Sequence, residues 1–339
     1  MRRTLPPAVL AVVLAVAVMT LQALLLPLFA GPAANAAPRD LPVVVAGPAP
    51  AVAAFTSKIE TMSPGAFEVT AVADADAADA AVLDREAYAA FILSPTGVTL
   101  HTASAAAPAV ANLFNAVAAQ LGAGSGMPVT VTDLAPLSAD DPHGGGFAAG
   151  FFPLVITSML AAIALYFAVA GFAARVIGLF AFAALSGAAG ATVLQSWLGV
   201  IGGDWWPVAG VIALLTLAIS AAVHGLASVA GPRGIGLGAV LILLVGNALG
   251  AVGAAPELLP QPWGEFGQWL PIGAGATLLR SAAWFGGSGG GAAAWVLASW
   301  ALAGLALLGV AWLGRKEQVE PDDAEAHEAA RRLGATVTA

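Results

Sequence analysis

Few side chains in this sequence are of kinds that do chemistry, and they are thinly spread. There is no Cys, and the four His stand at 101, 143, 224 and 327. Without thiols there is no disulfide framework, no Cys-ligated metal and no thiol nucleophile. Asp140, Asp141 and His143 place two carboxylates and an imidazole within four residues. A metal site spreads its ligands more widely than that. The stretch therefore reads as a solvated turn, with Asp141, Pro142 and Gly144 in a hinge-like linker. Neither HExxH nor GxxxxGK[ST] occurs, so zinc-protease and phosphate-loop chemistry have no motif to rest on. On this reading the chain is not an enzyme and carries no catalytic residue, cofactor or metal.

Three further groups stand out by type and spacing. Asn247 is expected mid-span, between Gly246 and Gly250 of an apolar run. GxxxG lets helices approach closely, and an Asn can hydrogen-bond across such a contact. These three are candidate helix-packing residues, with a subunit contact or a path lining as the functional alternative. Pro271, Gly273, Gly275 and Arg280 lie in the segment PIGAGATLLRSAAWF. That segment is too short to cross a bilayer. It is expected to lie in the outer interface or dip partly into the membrane, with Arg280 reaching toward headgroups. His224 and Gln195 are expected to be interfacial side chains.

The elements that must carry these residues are set by composition. Of 339 residues, 59% are hydrophobic and only 9% charged, against about 25% charged in soluble domains. The net charge of −8 excludes a basic nucleic-acid binder. A polytopic α-helical membrane protein remains. A span needs about 20 apolar residues, and six runs qualify: Leu5 to Phe29, Phe147 to Ala174, Val176 to Gly203, Trp206 to Ala230, Gly234 to Pro256 and Ala292 to Gly314. The first also resembles a signal peptide, with Ala34-Asn35-Ala36 as a cleavage-like triplet. Its length exceeds the about 7–15 residues of a signal core, which favours an uncleaved anchor over residues 1–37. No Asp, Glu, Lys or Arg lies within a span, which argues against proton-coupled transport and charged ion filters.

Charge predicts the orientation. With the N-terminus inside, Arg2, Arg3, Arg175, Arg233, Arg315, Lys316, Arg331 and Arg332 are cytoplasmic. Only Arg39, Lys58, Arg85 and Arg280 fall outside. The positive-inside rule then reads a multi-pass protein of the cell membrane with both termini cytoplasmic.

Residues 38–146 form an extracytoplasmic α/β domain between the first and second spans. Strands are expected at Leu41 to Ala46, Phe67 to Ala73, Tyr88 to Leu93, Val98 to Thr102 and Val129 to Asp133. Helices are expected at Pro48 to Met62, Asp74 to Leu83 and Ser104 to Leu121, the last stopped by Gly122, Gly124 and Gly126. Spans two to five occupy 147–256, and the interfacial or re-entrant segment 257–291 follows, rich in Trp and closed by Gly286 to Gly291. The last span, 292–314, leads to a cytoplasmic tail, 315–339. Pro321 to Leu333 of that tail reads as a short amphipathic helix.

One span, an external α/β domain and then five spans resembles the type-2 ABC transporter permeases, closest to divergent actinobacterial and phage-infection-protein-like relatives. Asp133-Leu134-Ala135-Pro136-Leu137, followed by Asp140-Asp141-Pro142-His143-Gly144, is similar to that family's linker before the second span. Trp269 to Phe285 is similar to its "LP-x-GAG … LR … F" stretch before the last span. The resemblance implies an exporter subunit for a hydrophobic or envelope-related substrate. It implies pairing as a homo-oligomer or with a second permease, a separate cytoplasmic ATPase, and an outer gate at Pro271 to Phe285. The chain departs from the pattern in its inner loop, little more than Ala173-Ala174-Arg175, and in having four residues before the first span. The alternative is a non-transporting envelope scaffold with a partner-binding external domain.

Overall fold

The computed structural model describes residues 6–125 and 129–337. Arg2, Arg3 and Gly126 lie outside the described residues. The chain begins with α1 (Pro7–Ala34) and then enters an α/β region. In order this comprises β1 (Leu41–Ala46), α2 (Ala49–Met62), β2 (Phe67–Val72), α3 (Ala75–Leu83), β3 (Ala89–Ser94), β4 (Gly97–Thr102), α4 (Pro108–Ser125) and β5 (Val129–Asp133). The strands form one sheet in the order β2-β1-β3-β4-β5. β1 is parallel to β2 and β3, β3 and β4 form an antiparallel hairpin, and β4 is parallel to β5.

Alternation along β1 explains why both faces are covered. Leu41, Val43 and Val45 point into a core with Phe91, Val110 and Phe114, under α2 and α4. Val44 and Ala46 point the other way, to Ala78 and Val82 of α3. Helix α3 starts where its sequence says it should, because the Asp74 carboxylate accepts from the Ala77 N–H at 2.9 Å.

The helical body follows: α5 (Gly145–Ala168), α6 (Phe172–Ala191), a π-helical extension Thr192–Trp197, α7 (Trp205–Ala230) and α8 (Pro232–Gly238). A second π-helical stretch, Ala239–Gly246, leads into α9 (Asn247–Leu249). Then come α10 (Trp263–Gln268), α11 (Pro271–Trp284) and α12 (Gly291–Val337). Among the described residues, six helices are long and apolar enough to cross a membrane: Pro7–Ala34, Gly145–Ala168, Phe172–Trp197, Trp205–Ala230, Pro232–Leu249 and Gly291–Gly314.

Several boundaries move from their sequence positions. The second apolar helix stops at Ala168, not Ala174, because Gly171 turns the chain at φ +86°. Arg175 falls in the first turn of α6 and donates to the Val169 and Tyr166 carbonyls, closing that turn. The fifth ends at Leu249 rather than Pro256. The tail helix expected at Pro321 to Leu333 is part of the continuous α12.

Helix α7 is the axis of the body. It packs against α5, α6, α11 and α12, with residues such as Ile212, Leu215 and Ile219 fully enclosed. Its crossing with α12 depends on Gly225 and Gly304, where a Cβ on either would strike the opposite backbone. Helix α1 is its opposite, with no buried residue along its length.

Candidate functional site

The segments on either side of α11 plug into the α/β region. Ala255 and Leu258 join the core beneath α2 and α4, and Phe285 joins the core beneath α3. The Leu258 carbonyl also accepts from the Ala37 N–H and the Arg39 guanidinium, each at 3.0 Å. Sheet and helical body are thus clamped together, and α11 lies at the joint.

A polar cavity of about 240 Å³ opens in that joint. Arg85, Tyr88, Glu257, Gln268, Thr277 and Arg280 line it. Arg280 is 5% exposed, and its guanidinium lies 4.6 Å from the Phe147 ring centroid while donating to the Val252 carbonyl. Arg85 donates to the Thr277 carbonyl at 2.8 Å and lies over Phe285. Tyr88 donates its hydroxyl proton to Glu257 at 2.8 Å. Thr277 donates to Gln268 Oε1 at 2.7 Å.

The electrostatics of this group are unbalanced. Among the described residues the only ion-pair geometry is His101 of β4 with Asp79 of α3, at 2.5 Å. Neither arginine therefore has a carboxylate within salt-bridge reach. Burial, then repulsion from Arg85, lowers Arg280 to about 10. Burial also lowers Arg85. Burial, followed by the Glu257 charge, raises Tyr88 above its ordinary value.

The backbone here is strained. Three described non-glycine residues have positive φ, and two of them, Arg85 (+63°) and Ala251 (+49°), line this cavity. A left-handed residue other than glycine costs about 1–2 kcal/mol. At Arg85 it turns the chain out of α3 and aims the guanidinium at α11.

The residues singled out by sequence fall out as follows. Pro271, Gly273, Gly275 and Arg280 share α11, and all four are enclosed by the rest of the protein. Arg280 does not reach toward headgroups, because Phe147 and the Val252 carbonyl hold it inside. A Cβ at Gly275 would press on Leu215 of α7 at 2.7 Å, and one at Gly273 would strike the Gly267 carbonyl. Gly246 and Gly250 do pack closely, but against Ile272 and Gly273 of α11. Two groups read separately are thus one contact. Asn247 is not mid-span: it stands in the last turn of the fifth helix and lines a cavity of about 390 Å³ shared with Phe29, Pro32 and Ala33 of α1.

The linker is corrected in part. Pro142 and His143 are exposed, but Asp141 is buried and its carboxylate accepts from the Phe147 N–H at 2.9 Å. It caps the first turn of α5 and is not a solvated turn residue. Gly144 (φ +69°) precedes α5, wedged against Pro108 and Leu137. Among the described residues no three His, Asp or Glu side chains form a metal-binding group. His224 is fully buried in α7, with Nδ1 3.0 Å from the Ala162 carbonyl, and does not extend to the protein surface. Gln195 bridges the Gly202 and Gly203 carbonyls.

Gly286-Gly287-Ser288-Gly289-Gly290 matches the letters GxSxG. It sits in the turn between two helices, not on a strand-to-helix elbow. The Ser288 hydroxyl donates to Asp84 at 3.1 Å, and among the described residues no histidine bonds to it to complete a triad.

Sequence reading found Arg280 but missed Arg85, Tyr88 and Glu257. Only one weak signal existed, a lone Arg among the acidic residues Asp84 and Glu86. Comparison with protein-family models, with curated proteins and with solved structures finds no match to this chain.

Proposed function

We propose that the chain is a permease-like subunit of an ABC-type exporter, moving a hydrophobic or envelope-related substrate with a separate ATPase. The observation that carries this reading is the setting of α11. This 14-residue helix is enclosed by the helical body and tied by Arg85 and Phe285 to the α/β region. Such a helix can couple a movement of the α/β region to a gate between apolar helices. The unburied α1 leaves a full helix surface for lipid or for a second membrane subunit, in a homo-oligomer or a permease pair. The distribution of basic residues supports a cell-membrane location with both termini cytoplasmic and the α/β region outside.

A second reading, a non-transporting envelope scaffold, is favoured by one specific observation. The connection from α5 to α6 is three residues long, and the one from α7 to α8 is Gly231 alone. Neither holds a helix on which an ATPase could push. Reconstitution with the ATPase that co-purifies with the full chain decides between them. The exporter reading expects ATP-dependent flux that falls in Gly273→Ala, Gly275→Ala or Arg280→Gln proteins that still fold. Recovery without an ATPase, or absence of flux in its presence, favours the scaffold.

A further inference from the structure

The cavity beside α11 holds two guanidinium groups and one carboxylate, Arg85, Arg280 and Glu257. The carboxylate is engaged by the Tyr88 hydroxyl and does not pair with either cation. Burying a cation without a counter-charge is costly, and proteins normally supply one. Here the fold supplies a π face and a backbone carbonyl to Arg280, and the same pair of supports to Arg85. One hydrogen bond per guanidinium leaves N–H donors over in each five-donor fork. The space is far above the about 15 Å³ that one water needs.

We propose that this cavity is a binding site for a phosphate group, held between Arg280 and Arg85. A phosphate monoanion or phosphodiester neutralises the one positive charge that Glu257 leaves over. Its paired oxygens match the planar guanidinium fork. The Thr277 and Gln268 side chains, bonded to each other at 2.7 Å, stand on the same wall and orient the ester side. Glu257 sets an upper limit on ligand charge, since a dianion meets its repulsion. The positive φ at Arg85 and Ala251 is strain kept where the ligand is gripped. This site stands whether or not the chain transports. Its phosphate can come from a phospholipid or lipid-linked head group at the edge of the apolar helices, or from free phosphate in solution.

Two arms of one experiment separate those sources. Full-length protein in dodecyl maltoside, free of phosphate, is titrated with inorganic phosphate while its unfolding midpoint is followed. The same protein, reconstituted with phospholipid and re-extracted, is examined by native mass spectrometry for retained lipid. Saturable stabilisation in the first arm assigns free phosphate, and stoichiometric retained lipid in the second assigns a head group. In either arm, Arg280→Gln and Arg85→Gln are each expected to weaken binding about tenfold or more. Glu257→Gln is expected to tighten it severalfold, because it removes repulsion while its carboxamide oxygen still accepts from Tyr88. That variant also decides the matter if Arg280→Gln fails to fold. Binding in neither arm overturns the proposal. So does binding unchanged in Arg85→Gln, or weakened in Glu257→Gln.

Discussion

The centre of the helical body and the joint beside α11 are both buried, yet they are built on opposite rules. Around α7 most enclosed residues are Ile, Leu, Val and Ala, the buried Thr216, Ser220 and His224 are uncharged side chains set against backbone carbonyls, and helices touch where glycine removes the side chain altogether. Beside α11 the enclosed groups are charged, and each is held by a neighbour that cannot neutralise it. The first region gains from being full, and the second gains from having room. Stability belongs to α7, and ligand chemistry to α11.

The largest effect is expected where nothing can give way. A Cβ at Gly304 would run into the Ala221 backbone. Gly304→Leu should therefore separate α7 from α12 at a cost of about 3 kcal/mol or more. The check is the unfolding midpoint in detergent, and an unchanged midpoint would remove the close crossing from this account. Arg280→Gln comes next. It should leave the fold recoverable while reducing phosphate binding about tenfold, a dissociation of stability from binding that no α7 substitution should show.

A pH series sharpens the contrast. Arg280, lowered to about 10, carries its charge throughout the neutral range. Affinity for a phosphodiester, a monoanion throughout, should hold from neutral pH upward and fall as pH passes about 10, or somewhat higher if the bound anion supports the charge, whereas inorganic phosphate should already weaken as it becomes a dianion on passing neutral pH. Glu257, Arg85 and Tyr88 are the other ionisable groups facing the cavity. Tyr88 is raised and stays protonated there. Stability should move in the opposite sense: the penalty for burying charged Arg280 is present below its folded pKa and fades above it, as pH rises toward the ordinary range of an arginine. Titration of binding and of the unfolding midpoint on one preparation reads both signs. The smallest effect is expected from Tyr88→Phe. It removes one hydrogen bond to Glu257, worth about 1 kcal/mol, and a midpoint shift near zero would show that Glu257 finds another partner.

The two regions also differed in how well the sequence announced them. Apolar runs of span length are a local signal, and so were β1 with its Leu-Pro-Val-Val-Val-Ala pattern and the Asp74 cap of α3. Helix ends were read poorly at Gly171 and Leu249, where a turn rather than a change of polarity stops the helix. The joint was almost invisible. Arg85 and Arg280 are nearly two hundred residues apart, and what brings them together is the insertion of Phe285 and Leu258 into the two faces of the sheet region. Composition alone did not show that α11 is enclosed; its small residues let it pack closely against Leu215 and Gly250.

Hydrogen-exchange mass spectrometry of the full chain, with and without phosphate, tests the division of labour most directly. The account predicts slowed exchange confined to residues 84–89, 251–258 and 277–281, with α7 equally protected in both states. Uniform change across the chain, or protection appearing in α7 while the joint stays unaffected, would contradict it.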